Sequence, residues 1–338
     1  MENPQNITTT LIDDMEICRI INGMWQVSGS HGDIRRNKAI KSMLEHSKAG
    51  LITWDLADHY GPAEDFIKLF RQKLQDQGDS ELLRKVKFFT KWVPRPKKIT
   101  KQKVREAIDI SRARMGMESL DMLQFHWWDY SNKNYIKAME YLDELREEGL
   151  IKHLGLTNFD TAHLQEFIDL GIPIVSNQVQ YSLIDRRPEL LMQDVCSKNN
   201  IKLLVYGTLG GGLFTDRFLN KPEPYGSILN TASLYKYKNM LDKWGDWSLF
   251  QELLKTLKSI AEKYNVSIAN IADRYVLENP VVAGAIIGVR LGLSKHIKEN
   301  LQIFNFSLDE DDLKMINEIS SRAYNLLEII GDCGDEYR

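Results

Sequence analysis

Asp55, Lys91 and His126 each close a short apolar run, and Tyr60 follows Asp55 by five positions. Taken singly, each has an ordinary structural role: a turn aspartate, a solvated lysine, a satisfied core histidine, a packing aromatic. Taken together those roles weaken, because an acid, an amine and an imidazole set directly after apolar sequence are costly to half-bury unless they compensate one another. The chemistry that suits the set is reduction of a carbonyl group. Hydride adds to the carbon, negative charge grows on the oxygen, and a proton must arrive there. A free tyrosine, with a pKa of about 10, gives up its proton reluctantly near neutrality. A cation beside it favours the phenolate, and Lys91 is the candidate for that charge, with Asp55 keeping it protonated and aimed. His126 has two open roles, orienting the carbonyl by a hydrogen bond or sharing in the proton relay.

For these groups to meet, the ends of three runs must arrive at one place. The chain alternates short apolar runs with charged amphipathic stretches. The runs are Cys18–Met24, Gly50–Asp55, Val86–Lys91, Asp121–His126, Ile151–Leu156, Ile174–Gln178, Ile201–Tyr206 and Gly284–Val289. Between them, Asn37–Ala49, Ala63–Gln75, Gln102–Met115, Asn134–Glu148, Ala162–Asp169 and Pro188–Asn199 carry apolar residues at helical spacing. Several runs are apolar at both alternating sets of positions, as expected of strands covered by helices on one face and a barrel interior on the other. The expected fold is an α/β protein, a (β/α)8 TIM barrel, as a single domain over residues 1–338 with its core at about 16–321. In such a barrel all strand C-terminal ends open on one face, where active sites lie. Ahead of the first run, Ile7–Glu16 is a candidate hairpin closing the barrel floor, with Asp13 and Asp14 at its turn. A long insertion, Gly207–Ala283, separates strands seven and eight; it holds KPEPYG and helices near Phe250–Tyr264 and Ser267–Glu278, and part of it is a candidate lid.

Composition narrows the classes. With 43% hydrophobic and 27% charged residues, the chain has the apolar material for a full core. A net charge of -3, from 44 basic and 47 acidic residues, gives no general attraction for nucleic acid or an anionic membrane. Cys18, Cys196 and Cys333 are few, odd in number and far apart, the pattern of a reducing compartment. The opening MENPQNITTT lacks the order of a secretory signal, and no stretch is apolar for long enough to span a bilayer, so the expected location is cytoplasmic. No G-x-G-x-x-G motif points to a doubly wound dinucleotide-binding sheet, and no zinc-ligand cluster or nucleophilic Cys or Ser motif is present, so the expected chemistry is metal-free.

The strings GLITWDLADHYGPAE (Gly50–Glu64), FFTKW (Phe88–Trp92) and LDMLQFHWW (Leu120–Trp128) resemble the aldo-keto reductases, in the branch related to potassium-channel β subunits and plant and fungal aldo/keto reductases. The resemblance implies an eight-stranded barrel, NADP(H) bound in extended form and a catalytic tetrad at Asp55, Tyr60, Lys91 and His126. Asp58 does not fit the spacing and is a decoy. Leu56 stands where threonine is common. GLTNFD (Gly155–Asp160) resembles the segment that holds the nicotinamide carboxamide, implying Thr157 and Asn158, and SNQVQYS (Ser176–Ser182) adds Gln178. Tyr206 matches the aromatic that stacks on the nicotinamide ring. YGTLGGGLFTDRF (Tyr206–Phe218) resembles a pyrophosphate loop, implying Gly207, Thr208, Leu209 and Gly211, with Arg217 closing over the phosphates. IIGVRLGLSKHIKENL (Ile286–Leu301) resembles the segment that grips adenosine, implying Gly288, Arg290, His296, Glu299 and Asn300. Arg290, with Lys295 beside it, is the implied partner of a 2′-phosphate. The spacing between Arg290 and His296 is about two residues longer than is common in the family. The tail after Ser321 carries no recognisable signal.

Trp25, Trp92, Trp127 and Trp128 follow strand ends and are candidates to wall the mouth, Trp25, Trp92 and Trp127 as substrate contacts, which favours flat or apolar carbonyl compounds. At least one of the four is expected to plug the barrel top instead. The leading expectation is an NADPH-dependent reductase of aldehydes or ketones. A regulatory or scaffold protein that binds NADP(H) on the same fold with little turnover is the main rival, and a barrel lyase or isomerase a second.

Overall fold

The computed structural model describes residues 6–12, 14–29, 34–95 and 99–338. A two-stranded antiparallel hairpin, β1 (Thr8–Ile12) and β2 (Met15–Cys18), comes first. Eight strands then pair in parallel: β3 (Ile20–Gly23), β4 (Thr53–Asp55), β5 (Lys87–Trp92), β6 (Leu120–His126), β7 (Ile151–Thr157), β8 (Ile174–Gln180), β9 (Lys202–Tyr206) and β10 (Val282–Gly288). They follow one another in sequence order, and β10 pairs with β3, so the sheet closes into a (β/α)8 barrel. The outer layer is α1 (Arg36–Lys48), α2 (Ala63–Asp76), α3 (Ser80–Lys85), α4 (Lys101–Met115), α5 (Asn134–Glu147), α6 (Thr161–Asp169), α7 (Met192–Lys198), α8 (Ala232–Trp244), α9 (Trp247–Tyr264), α10 (Ile268–Glu278), α11 (Ile297–Leu301), α12 (Glu310–Ser320) and α13 (Leu326–Ile330). No helix among the described residues is long and apolar enough to cross a membrane.

Strand periodicity sorts the side chains into two cores. In β5 and β6 the residues Phe88, Trp92, Leu123 and Phe125 belong to the layer between barrel and helices. Phe89 and Met122, one position out of phase, fill the barrel itself with Leu204 and Ile286. Leu11, Met15 and Ile17 of the hairpin join this inner cluster, which is how β1 and β2 close the floor. Asp13, proposed as part of that turn, lies outside the described residues. The first apolar run does not continue through Cys18–Met24 as one strand. Cys18 ends the hairpin and the barrel strand begins at Ile20, because Arg19 is turned aside, its amide donating to Ile7 O at 2.8 Å and its guanidinium to Leu277 O at 2.6 Å.

The interval between β9 and β10 is mostly packed helix. It holds three long helices rather than two: α8 buries Leu234, Tyr237, Met240, Leu241 and Trp244, and Thr231 caps it by accepting the Leu234 amide at 3.1 Å. Its first turn rests on the loop after β9, where a side chain at Gly211 would meet the Ser233 backbone at 2.8 Å.

Candidate active site

The inward phase of β4, β5 and β6 brings Asp55, Lys91 and His126 to the same end of the barrel. The Lys91 ammonium donates to both Asp55 oxygens, at 2.8 and 2.6 Å, and to the Leu56 carbonyl at 3.1 Å. Since the main-chain oxygen of Leu56 makes that contact, its unusual side chain is free to pack, and it is fully buried. The carboxylate is also held from below: Gln124 and Gln178 each donate a side-chain N–H to Asp55 Oδ1 at 2.8 Å, and Gln178 donates to Gln124 Oε1 at 2.7 Å. This buried ion pair is therefore fully hydrogen-bonded, the condition under which such a pair is tolerable. Tyr60 is half-buried above it, with Lys91 Nζ 5.3 Å from its ring centre. The loop that carries Tyr60 is pinned by Asp58, whose amide donates to Lys91 O at 3.0 Å and whose carboxylate accepts the Val93 amide at 3.2 Å. Asp58 is a loop staple.

Electrostatics at the site run against one expectation. Tyr60 is pushed well above the ordinary tyrosine range, first by burial and then by the negative charge of Asp55, so it is a phenol and not a phenolate. The Lys91 ammonium is itself paired with Asp55 at 2.6 Å. Burial also lowers Lys91, while Asp55 acts to keep it protonated. His126 falls from 6.5 to about 4, chiefly through burial. Its Nδ1–H donates to the Thr157 carbonyl at 2.9 Å, so the neutral ring carries its lone pair on Nε2. Trp128 covers the imidazole edge-on with ring centres 4.3 Å apart.

The residues at the next strand ends fit a nicotinamide dinucleotide. His126 Nε2 and Thr157 Oγ1 are buried without a hydrogen-bond partner among the described residues. Buried orphans of this kind are costly unless a bound molecule satisfies them. Tyr206 donates its hydroxyl to Asn158 Oδ1 at 2.8 Å. After Tyr206 the chain turns through Gly207 and Gly211 with φ of 78° and 64°, a backbone that side chains resist. Thr208 is buried and donates to Asp273 Oδ1 at 2.5 Å, and Leu209 leads into the glycine turn. Arg217 lies farther out, exposed, with its guanidinium 5.2 Å from the Phe218 ring. Gly288 and Arg290 at the end of β10 are exposed, as are His296 and Glu299, whose Nδ1 and carboxylate oxygen are 3.9 Å apart, while Asn300 is half-buried. Lys295 pairs with Glu45 at 2.6 Å and is thus already engaged.

Two of the tryptophans do not wall the mouth. Trp127 is fully buried, with Nε1–H donating to Asp129 O at 2.7 Å, and Trp92 is 7% exposed and stacked on Phe125. Each directly follows an inward residue, Lys91 or His126, and strand alternation sends the next side chain outward into the helix layer. Trp25 and Trp128 are the exposed pair, at 37% and 41%.

The tail supplies what sequence reasoning missed. Residues 332–338 cross the mouth: Arg338 donates to Asn158 O at 2.7 Å and Trp127 O at 3.0 Å and stacks on Tyr130, and Tyr337 meets the Tyr206 hydroxyl at 3.1 Å. Arg187, almost wholly buried, anchors the segment through Asp185 at 2.8 Å and Glu336 at 3.0 Å. Lys236 of α8 donates to the Tyr337 hydroxyl.

Residues 19–321 match the model of the aldo/keto reductase family. The chain belongs to that family. This aldo/keto reductase is 24% identical to the NADH-specific methylglyoxal reductase of Escherichia coli (strain K12) over 329 residues, covering 91% of this chain and 96% of the relative. It is 24% identical to the aldo-keto reductase yakc [NADP(+)] of Schizosaccharomyces pombe, covering 87% of this chain and 85% of that one. In structure it resembles the holo form of aldo-keto reductase AKR11C1 from Bacillus halodurans, with a TM-score of 0.71 at 21% identity, covering 92% of this chain and 95% of that one. Family membership carries NAD(P)H-dependent carbonyl reduction as the class of activity.

Proposed function

We propose that this aldo/keto reductase converts an aldehyde or ketone to an alcohol with NADPH, using Tyr60 as the general acid. The observation that carries the reading is the Lys91–Asp55 pair, buried beside Tyr60 and held by two glutamines, with the unpartnered His126 Nε2 at the same barrel end. A bound nicotinamide would supply the hydride to the carbonyl carbon. Tyr60, kept protonated by burial, donates its hydroxyl proton to the carbonyl oxygen. As that proton leaves, the Lys91 ammonium is the cation close enough to stabilise the tyrosinate. His126 offers an acceptor nitrogen, suited to a hydroxyl, whether of the alcohol product or of a hydroxyl beside the carbonyl. Thr157, Asn158 and Gln178 would hold the carboxamide, and Tyr206 would stack on the ring.

NADPH is preferred in this reading because Arg290 is exposed on the stretch expected to grip adenosine, and a guanidinium pairs with a 2′-phosphate in a fixed fork. A relative named for NADH and another named for NADP(+) make the preference a point to measure. The substrate is a small carbonyl compound, of the size class that the methylglyoxal reductase relative suggests. The barrel works as one domain, in the cytosol, where its three buried thiols stay reduced. The test is titration with NADPH and NADH, then cofactor oxidation against aldehydes, ketones and dicarbonyls. Oxidation that disappears in Tyr60→Phe supports the reading. Tight NADPH binding with no turnover across the panel would shift it to the regulatory alternative.

A further inference from the structure

Lys236 is a cation with no ion-pair partner among the described residues. It stands on α8, in the insertion between β9 and β10, and among the described residues no carboxylate pairs with it. Its ammonium lies 5.2, 5.1 and 4.5 Å from the ring centres of Tyr206, Tyr237 and Tyr337, and its hydrogen bond goes to the neutral Tyr337 hydroxyl. Rings and a phenol stabilise an ammonium without forming an ion pair with it. The fold packs the helix that carries this charge against the glycine turn. The neighbouring Tyr237 fills the space a side chain at Gly207 would need, its hydroxyl 2.5 Å from that point, and Gly211 leaves room for the first turn of α8 at 2.8 Å. The glycine turn and the first turn of α8 are thus packed directly against each other. Arg217, by contrast, is exposed and rests on Phe218.

The geometry points to Lys236 as the cation that binds the cofactor's pyrophosphate, with the α8 insertion serving to carry it there. This rests on the nicotinamide-dinucleotide reading above. It gives the insertion a role that a surface excursion lacks: α8 buttresses the glycine turn through Tyr237 and supplies the charge that the turn, made of glycines, cannot. The ammonium needs only to exchange the Tyr337 hydroxyl for a phosphate oxygen, an anionic acceptor in place of a hydroxyl.

Two cofactor fragments separate this from general damage. ADP-ribose contains the pyrophosphate; adenosine 2′-monophosphate lacks it. Lys236→Met, which keeps the apolar stem, is expected to weaken ADP-ribose binding by roughly tenfold or more in calorimetric titration. Adenosine 2′-monophosphate binding should be unchanged, Lys236→Arg should retain most of the affinity for ADP-ribose, and Lys243→Met, an exposed charge on the same helix, should lose none. Unchanged ADP-ribose affinity in Lys236→Met overturns the proposal, as does equal weakening of both fragments. If the unaltered protein binds neither fragment nor NADPH, the fault lies with the cofactor reading itself.

Discussion

His126 donates its Nδ1 proton to the main-chain carbonyl of Thr157 at 2.9 Å, which makes Nε2 an acceptor in the neutral ring. An unfolded imidazole takes its second proton near 6.5 and this one only near 4. Between those values the unfolded chain binds more protons, so stability falls as pH drops through the window, by about 3 kcal/mol in all. Urea melts between pH 7 and 4 should show the decline, and His126→Asn should flatten it. Imidazole nitrogen shifts should report the Nδ1–H tautomer from pH 8 down to about 5; an Nε2–H ring would refute the acceptor role.

Tyr60→Phe removes one oxygen from a half-buried ring. Loss of a general acid costs about 10²–10⁴ in rate, and cofactor affinity should stay as it was because the ring remains in place. Since burial and Asp55 hold the phenol protonated, no loss of activity from its ionisation is expected between pH 6 and about 9. Single-turnover rates in both proteins give the comparison, and a rate in the variant within a few fold of the parent would remove Tyr60 from the chemistry.

The four polar groups proposed for the chemistry were legible because three of them break an apolar pattern at strand ends, where a polar side chain needs a reason to be buried. The barrel was legible for the same cause, a pattern repeated eight times. The walls of the site were less so. The misplacement of Trp92 and Trp127 was avoidable, since a residue one step beyond an inward Lys91 or His126 must point outward. Helix α8 has Leu234, Leu241 and Trp244 at helical spacing and a threonine cap, signals obscured by the KPEPYG patch just before it. The tail had no local signal at all. Its anchor, Arg187 to Glu336, joins positions 149 apart, and only the folded barrel brings them together.

The Lys91–Asp55 pair should prove far more sensitive to half-removal than to full removal. Lys91→Met leaves the Asp55 carboxylate buried with only two amide donors, and loss of one partner from a buried pair costs about 3–5 kcal/mol. The double variant Lys91→Met with Asp55→Leu removes both charges and should recover part of that loss. Denaturant midpoints decide it: equal destabilisation in single and double variants would mean that the charges are not coupled.

Asp273 sits fully inside α10 with the Thr208 hydroxyl as its partner, and burial raises its carboxyl to about 7. The unfolded carboxyl releases its proton near 3.8, so the folded state holds more protons between those values and stability falls as pH rises through them. Asp273→Asn, neutral at every pH, should therefore gain in thermal midpoint relative to the parent, most at pH 8 and progressively less as the pH falls toward about 4. The reverse trend would place a cation near Asp273 and require a different account of the Thr208 turn.

Tyr337 is the residue of the tail best placed to limit what enters. Its ring lies 6.3 Å from that of Trp128, which covers His126, and its hydroxyl meets that of Tyr206 at 3.1 Å. Glu336 beside it is tied to buried Arg187, so the ring is held as a wall rather than resting on the surface. Tyr337→Ala should enlarge the mouth without loosening the tail, since the Arg187 anchor and the Arg338 contacts to Asn158 and Trp127 remain. Lost contacts in an apolar pocket are worth about 1–3 kcal/mol of discrimination. The ratio of kcat/KM for a bicyclic aromatic aldehyde over a three-carbon dicarbonyl is then expected to rise by roughly tenfold or more. Tyr337→Phe keeps the ring and should keep the ratio. If the alanine variant leaves the ratio unmoved, bulky carbonyl compounds reach His126 by a path that the tail does not control.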